Sequence, residues 1–190
     1  MYKNGVENPL AQMGKGGPSD KLGLFTADAI LGLGDDKNMM VAPPLRLHDC
    51  SLVSDGAAAV VLAAPEVAAK KGDKAVRIAG IGHTTERMPI SVRPNMYEHM
   101  AGKVAVQKAY EEAGITVDDI DFAEVHDCFT INQIIATETL GLSKDGEAGK
   151  DYIAGRFGSD DPKVSVNLSG GLKAKGHPVG ATGVSMHALS

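Results

Sequence analysis

From Pro43-Pro44 onward, apolar and polar residues alternate in blocks that define elements. Ser54-Asp55-Gly56 reads as a turn, and Ala57 to Ala63 follows as a run without polar interruption. Such a run predicts a strand buried on both faces. Pro65-Glu66 opens a short helix that Gly72 closes. Val76 to Gly82 predicts the next strand. Glu98 to Ala113 predicts a helix, with Met100 and Val104 on one face, Ala101 and Ala105 beside them, and Gly114 at the C-cap. Phe122 to Val125 predicts a strand, and Phe129 to Leu140 a helix with Ile131, Ile134 and Ile135 inward. Val164 to Asn167 predicts another strand and Pro178 to Leu189 another helix. The first forty residues are irregular. Gly14, Gly16, Gly17 and Pro18 break helices, Leu22 to Leu33 predicts one short helix, and the stretch has little core of its own.

Strands alternating with helices imply an α/β layered fold. The last helix reaches Ser190 with no cap or breaker, which predicts a half-fold truncated at its end. Composition narrows the class. Aromatics are 4% and Trp is absent, so the core is built from small aliphatic residues. The net charge of −5 is spread along the chain, and no basic patch interleaves with aromatics, which argues against nucleic acid as a partner. Apolar runs are too short for a membrane span, and residues 1–5 have no apolar signal-peptide core. Two Cys do not build a disulfide scaffold; they read as thiols in a reducing, cytoplasmic setting.

Two segments carry candidate chemistry. The first, Asn167 to Gly183, runs from a strand into a helix through Gly176-His177-Pro178. Its Gly spacing suits a phosphate loop, but His177 and Pro178 stand where that loop needs Lys and Ser or Thr. The residues alone leave His177 open between a catalytic group and a cap on a Gly-rich turn. The second is His126-Asp127-Cys128-Phe129, at the carboxyl end of a strand, where open α/β sheets place their sites. A thiol near a helix N-terminus has its pKa lowered, so Cys128 reads as a nucleophile or acid/base group, or else as a buried structural Cys. His48-Asp49-Cys50 repeats three of these letters 78 residues earlier, with no helix signal after it. The spacing of the two pairs does not suit zinc, so no metal site is expected, and Cys50 reads as packed structure.

Together these segments resemble the thiolase family, most closely its sterol-carrier-protein-type (SCP2-type) thiolases and acetyl-CoA acetyltransferases. The match runs through Leu45 to Ser51 with Ser54 to Ala59, then His126 to Phe129, then Asn167 to Gly183. The resemblance implies a thiolase-like layered fold with helices packed on a mixed sheet. Residues 1–72 correspond to the end of the first half and its loop region, and residues 73–190 to an incomplete C-terminal domain. It also implies an acyltransferase of lipid metabolism that cleaves 3-ketoacyl-CoA or runs the reverse Claisen condensation. The coenzyme A thioester is its substrate, and no covalently bound cofactor is implied. By the same resemblance His177 activates the nucleophile, His126 is an oxyanion group, and Cys128 is the acid/base thiol. Phe129, Asn167, Gly170, Gly171, Gly176 and Gly180 contact substrate.

The family's nucleophilic Cys has no counterpart here, since neither Cys50 nor Cys128 sits in its context. The chain alone is thus expected to be inactive, and to need a thiolase N-terminal half or a partner subunit. The complete protein is expected to be a homo-oligomer. The alternatives are a thiolase-like retro-aldolase acting with a partner subunit, and a non-catalytic assembly module.

Overall fold

A computed structural model describes residues 1–72 and 75–190. In chain order the elements are α1 (Tyr2–Glu7), α2 (Pro18–Lys21), α3 (Ala27–Leu31), β1 (Met40–Ala42), β2 (Leu45–Arg46), α4 (Pro65–Ala68), α5 (Met100–Ala113), β3 (Phe122–Ala123), α6 (Thr130–Thr139), α7 (Ala148–Ile153), β4 (Ser165–Val166), α8 (Gly171–Lys175) and α9 (Thr182–Leu189). The fold is α/β, with two small sheets. β1 pairs antiparallel with β2, and β3 pairs parallel with β4, Phe122 opposite Ser165 and Ala123 opposite Val166. Parallel neighbours end at the same edge. The segments that follow β3 and β4 therefore leave the sheet side by side, and these carry His126 and Asn167.

Behind that edge Val125, Phe157, Val164 and Val166 form a buried cluster, backed by Ile120, Leu140 and Tyr152. α5 and α6 pack on each other. Both stop at glycines in left-handed backbone, Gly114 at φ +69° and Gly141 at φ +81°, a conformation that costs glycine no Cβ clash.

Three expectations are corrected. The first forty residues do contribute a core: Tyr2, Met13 and Leu24 pack with Ala174. Here α1 lies against α8 because Gly5 presents no side chain; a Cβ on Gly5 would stand 2.5 Å from that of Ala174. The close approach depends on tertiary pairing and leaves no periodic signal. Secondly, the helix expected over 22–33 contracts to α3. Gly23 adopts positive φ, and Thr26 caps the helix, its hydroxyl accepting from Ala29 N–H at 3.2 Å.

Thirdly, the runs 57–63 and 76–82 form no strand. A strand needs a neighbouring backbone, and no backbone ladder reaches 57–63 among the described residues. Val61 and Leu62 are accordingly 93% and 77% exposed. The second run lies on a helix instead. Gly80 and Gly82 abut the backbone of α5 at Ala109 and Ala105, and Ile81 N–H donates to the Glu112 carboxylate at 3.0 Å. The expected boundary between 72 and 73 falls at the edge of the described residues. No helix among them is long and apolar enough to cross a membrane.

Candidate active site

The backbone leaving β3 is held by Asn167, which follows β4. Asn167 is fully buried at φ +56°. Its Oδ1 accepts from Val125 N–H at 2.8 Å, and its Nδ2 donates to Gln133 Oε1 at 3.3 Å. Its carbonyl accepts from Asn4 Nδ2 at 3.0 Å. Asn167 was expected to contact substrate. Its amide is spent inside the protein, and what the geometry gives it is the joining of the two site segments.

Asp127 makes a second joint. It is 1% exposed, and its Oδ1 accepts from Leu172 N–H at 2.7 Å at the start of α8. Its Oδ2 has no hydrogen-bond partner among the described residues. Burial pushes its carboxyl up to about 6, against the pull of the backbone N–H groups of Leu172 and Lys173. Gly170 and Gly171 are both buried, at φ +89° and +64°. Gly171 must be Gly, because a Cβ there would lie 2.7 Å from Asp127 Cγ.

These joints bring His126 and His177 together. Their rings meet edge to face with centroids 5.0 Å apart. Burial and the neighbouring His177 hold His126 below the ordinary imidazole range, which favours its neutral form. His177 Nδ1 lies 2.7 Å from Thr182 Oγ1, whose hydroxyl donates to the Pro178 carbonyl at 3.1 Å. A hydroxyl has one hydrogen. Spent on Pro178, it leaves Oγ1 to accept from Nδ1–H, and His177 then presents Nε2 as its basic lone pair.

Cys128 departs from expectation. Its thiol is pushed up chiefly by burial; the Phe129 N–H pulls it back less strongly than burial, and the Asp127 carboxylate adds a smaller push up. The helix that was expected to lower it begins two residues later, at Thr130, with Phe129 at its N-cap. Cys128 is thus a thiol that holds its proton. Phe129 is 41% exposed beside it.

Cys50 reads from the sequence as packed structure, and the segment it opens, Cys50 to Val53, brackets both motifs. Ser51 N–H donates to the Cys128 carbonyl at 2.8 Å, and His177 N–H to the Leu52 carbonyl at 3.2 Å. Asp49 Oδ1 accepts from Thr130 Oγ1 at 2.8 Å at the entry to α6. Sequence reasoning missed Asp127, Asn4, Gln12, Thr182 and this bracket. Asp127 lies inside the His126–Phe129 motif, and its role follows from its burial, which depends on tertiary packing. Gly176 (φ +103°) runs close to Ser54 and Gln12; a Cβ there would stand 2.6 Å from Ser54 Oγ and 2.9 Å from Gln12 Nε2. A Cβ on Gly180 would meet nothing within 4 Å. Gly180 lines an open cleft of about 410 Å³, with Ser54 to Ala58 on one side and Pro178 to Ala181 on the other.

A family model described as thiolase C-terminal domain-like matches residues 82–188, a stretch that runs from α5 to α9 and holds both motifs. The chain belongs to the thiolase family. Among thiolase relatives, an acetyl-CoA acetyltransferase from Methanothermobacter thermautotrophicus is 44% identical over 149 residues, 78% of this chain and 39% of its own. Sterol carrier protein 2 from Homo sapiens is 39% identical over 190 residues, 97% of this chain and 32% of its own. The chain thus spans well under half the length of these relatives. A solved structure, the Ltp2–ChsH2(DUF35) aldolase, superposes with a TM-score of 0.69 over 97% of this chain and 46% of that one, at 20% identity, a likeness of fold.

Proposed function

We propose that this chain supplies the second-half side of a thiolase-type active site acting on acyl-CoA thioesters. The observation that carries the reading is the joining of His126, Cys128 and His177 by one set of internal bonds, with the two imidazoles in contact. Residues 1–72 serve as the end of the first half, and the nucleophilic thiol comes from polypeptide outside this chain, in the same protein or in a partner subunit.

In the cleavage direction, His177 Nε2 takes the proton of that nucleophilic thiol, and the thiolate attacks the 3-keto carbon. The C2–C3 bond then breaks. The acyl group stays on the nucleophile, and the electron pair passes to the acetyl thioester as an enolate. Imidazole N–H donors hold the developing oxyanion. Cys128, a thiol with its proton retained, delivers that proton to C2. The Cys128 thiolate takes the proton of the CoA thiol, whose sulfur attacks the acyl thioester; the nucleophile leaves as a thiolate and recovers its proton from His177. Condensation runs the same steps in reverse.

Thiolysis of acetoacetyl-CoA by the complete enzyme tests this. Cys128→Ala and His177→Ala each lose at least about 10²-fold in kcat, the range for one oxyanion or proton-transfer group. Near-normal turnover by either variant removes the role given to it. CoA consumption marks thiolysis. An aldehyde or ketone released without CoA consumption assigns the site to aldol cleavage, and the absence of any turnover in the complete enzyme assigns the chain to assembly.

A further inference from the structure

Lys173 sits in α8, two residues after the Gly171 that packs on Asp127. It is 4% exposed. Its Nζ donates to the Leu47 carbonyl at 3.2 Å and to the Cys50 carbonyl at 2.5 Å, and it lies 5.6 Å from the centre of the Tyr2 ring. No carboxylate pairs with it directly among the described residues. An ammonium is a costly way to fill buried space, and an apolar side chain of the same length would pack there more cheaply. What the ammonium does that a methyl group cannot is grip two carbonyls. Those carbonyls flank the start of the segment whose next residues bond Cys128 and His177.

We infer that Lys173 is a positioning residue, whose buried ammonium clamps the Leu47 and Cys50 carbonyls and so sets the Cys50–Val53 bracket that fixes Cys128 relative to His177. The inference rests on reading those two residues as parts of one site, but it does not depend on acyl-CoA as the substrate. Burial also holds the Lys173 ammonium below the usual lysine range, with Cys50, Asp49 and Asp127 pulling it back up. Cys50 enters the grip through its carbonyl alone; its thiol donates to the Arg46 carbonyl at 3.4 Å.

Amide hydrogen exchange on this chain tests the clamp without any turnover assay. Lys173→Met keeps the volume and removes the donors; Lys173→Gln keeps a donor on a shorter stem. In Lys173→Met, the Ser51 and His177 N–H groups exchange at least about tenfold faster, while the Val166 and Asn167 N–H groups beside β3 keep their rates. Lys173→Gln falls between. The complete enzyme carrying Lys173→Met then loses up to about 10²-fold in kcat at unchanged KM, as expected for a misplacement near 1 Å. Four amides accelerating together would make Lys173 a general stabiliser and overturn the inference. So would unchanged exchange at Ser51 and His177, or failure of both variants to fold. If exchange responds selectively but no acyl-CoA is turned over, the clamp stands and the functional reading falls.

Discussion

Replacing Gly171 by Ala probes the joint between the two motifs at a single carbon. Gly171 has φ +64°, and an Ala there carries a left-handed backbone cost of about 1–2 kcal/mol. The added Cβ would lie 2.7 Å from Asp127 Cγ and 2.8 Å from its Oδ1. Asp127 is 1% exposed, and the Cβ meets its whole carboxylate, Oδ2 nearest of all. It must therefore give up its 2.7 Å bond from Leu172 N–H. Losing a buried hydrogen bond to a charged acceptor costs about 1.5–3 kcal/mol. The two effects sum to roughly 2.5–5 kcal/mol. Urea unfolding followed by circular dichroism reads the change directly, with Gly180→Ala as control. Gly180 has open space around it, so its Ala variant should stay within about 0.5 kcal/mol of wild type. A Gly171→Ala protein within about 1 kcal/mol of wild type would refute the packing of Asp127 on α8.

The pH dependence of stability follows from Asp127. Its carboxyl is raised to about 6, so between about pH 4 and pH 6 the folded chain keeps a proton that the unfolded chain has released, and stability falls as pH rises through that window. Asp127→Asn removes this contribution of at most about 3 kcal/mol, seen as the difference between the two proteins' stability-versus-pH curves; parallel curves would contradict it. Cys128 holds its proton, so its alkylation by iodoacetamide should be slower at pH 7 than that of a free thiol and climb steadily above pH 9, with fast modification at pH 7 counting against the raised thiol. Thr182→Val removes the acceptor for His177 Nδ1–H, and the imidazole resonances of His177 should then show a mixture of tautomers; an unchanged nitrogen spectrum would show that Thr182 does not set it.

Helices stabilised by their own sequence were legible. α5 and α6 appear within two residues of expectation, with Gly114 and Gly141 at their ends, because capping and periodicity are local. Strands were less so. Ala57–Ala63 has the composition of a buried strand, but pairing depends on a second backbone that composition cannot report. The paired meeting of His126 with His177 was legible only through resemblance to a family, while the bonds that produce it were not. Asn167 and Asp127 join segments some forty residues apart, and Asn4 reaches its partner across 163 positions. The shift of Cys128 was misjudged for the same reason: helix position is written in the chain, and the burial that outweighs it is not.

The central claim is that His177 and Cys128 act as one site, and a double-variant thiolysis measurement tests it most directly. In the complete enzyme with acetoacetyl-CoA and CoA, Cys128→Ala and His177→Ala each slow kcat by about 10²–10³-fold. Groups that act as a unit are strongly non-additive. The double variant should therefore be no more than a few-fold slower than the worse single variant. Losses that multiply in full, or a single variant that turns over like wild type, would contradict the claim.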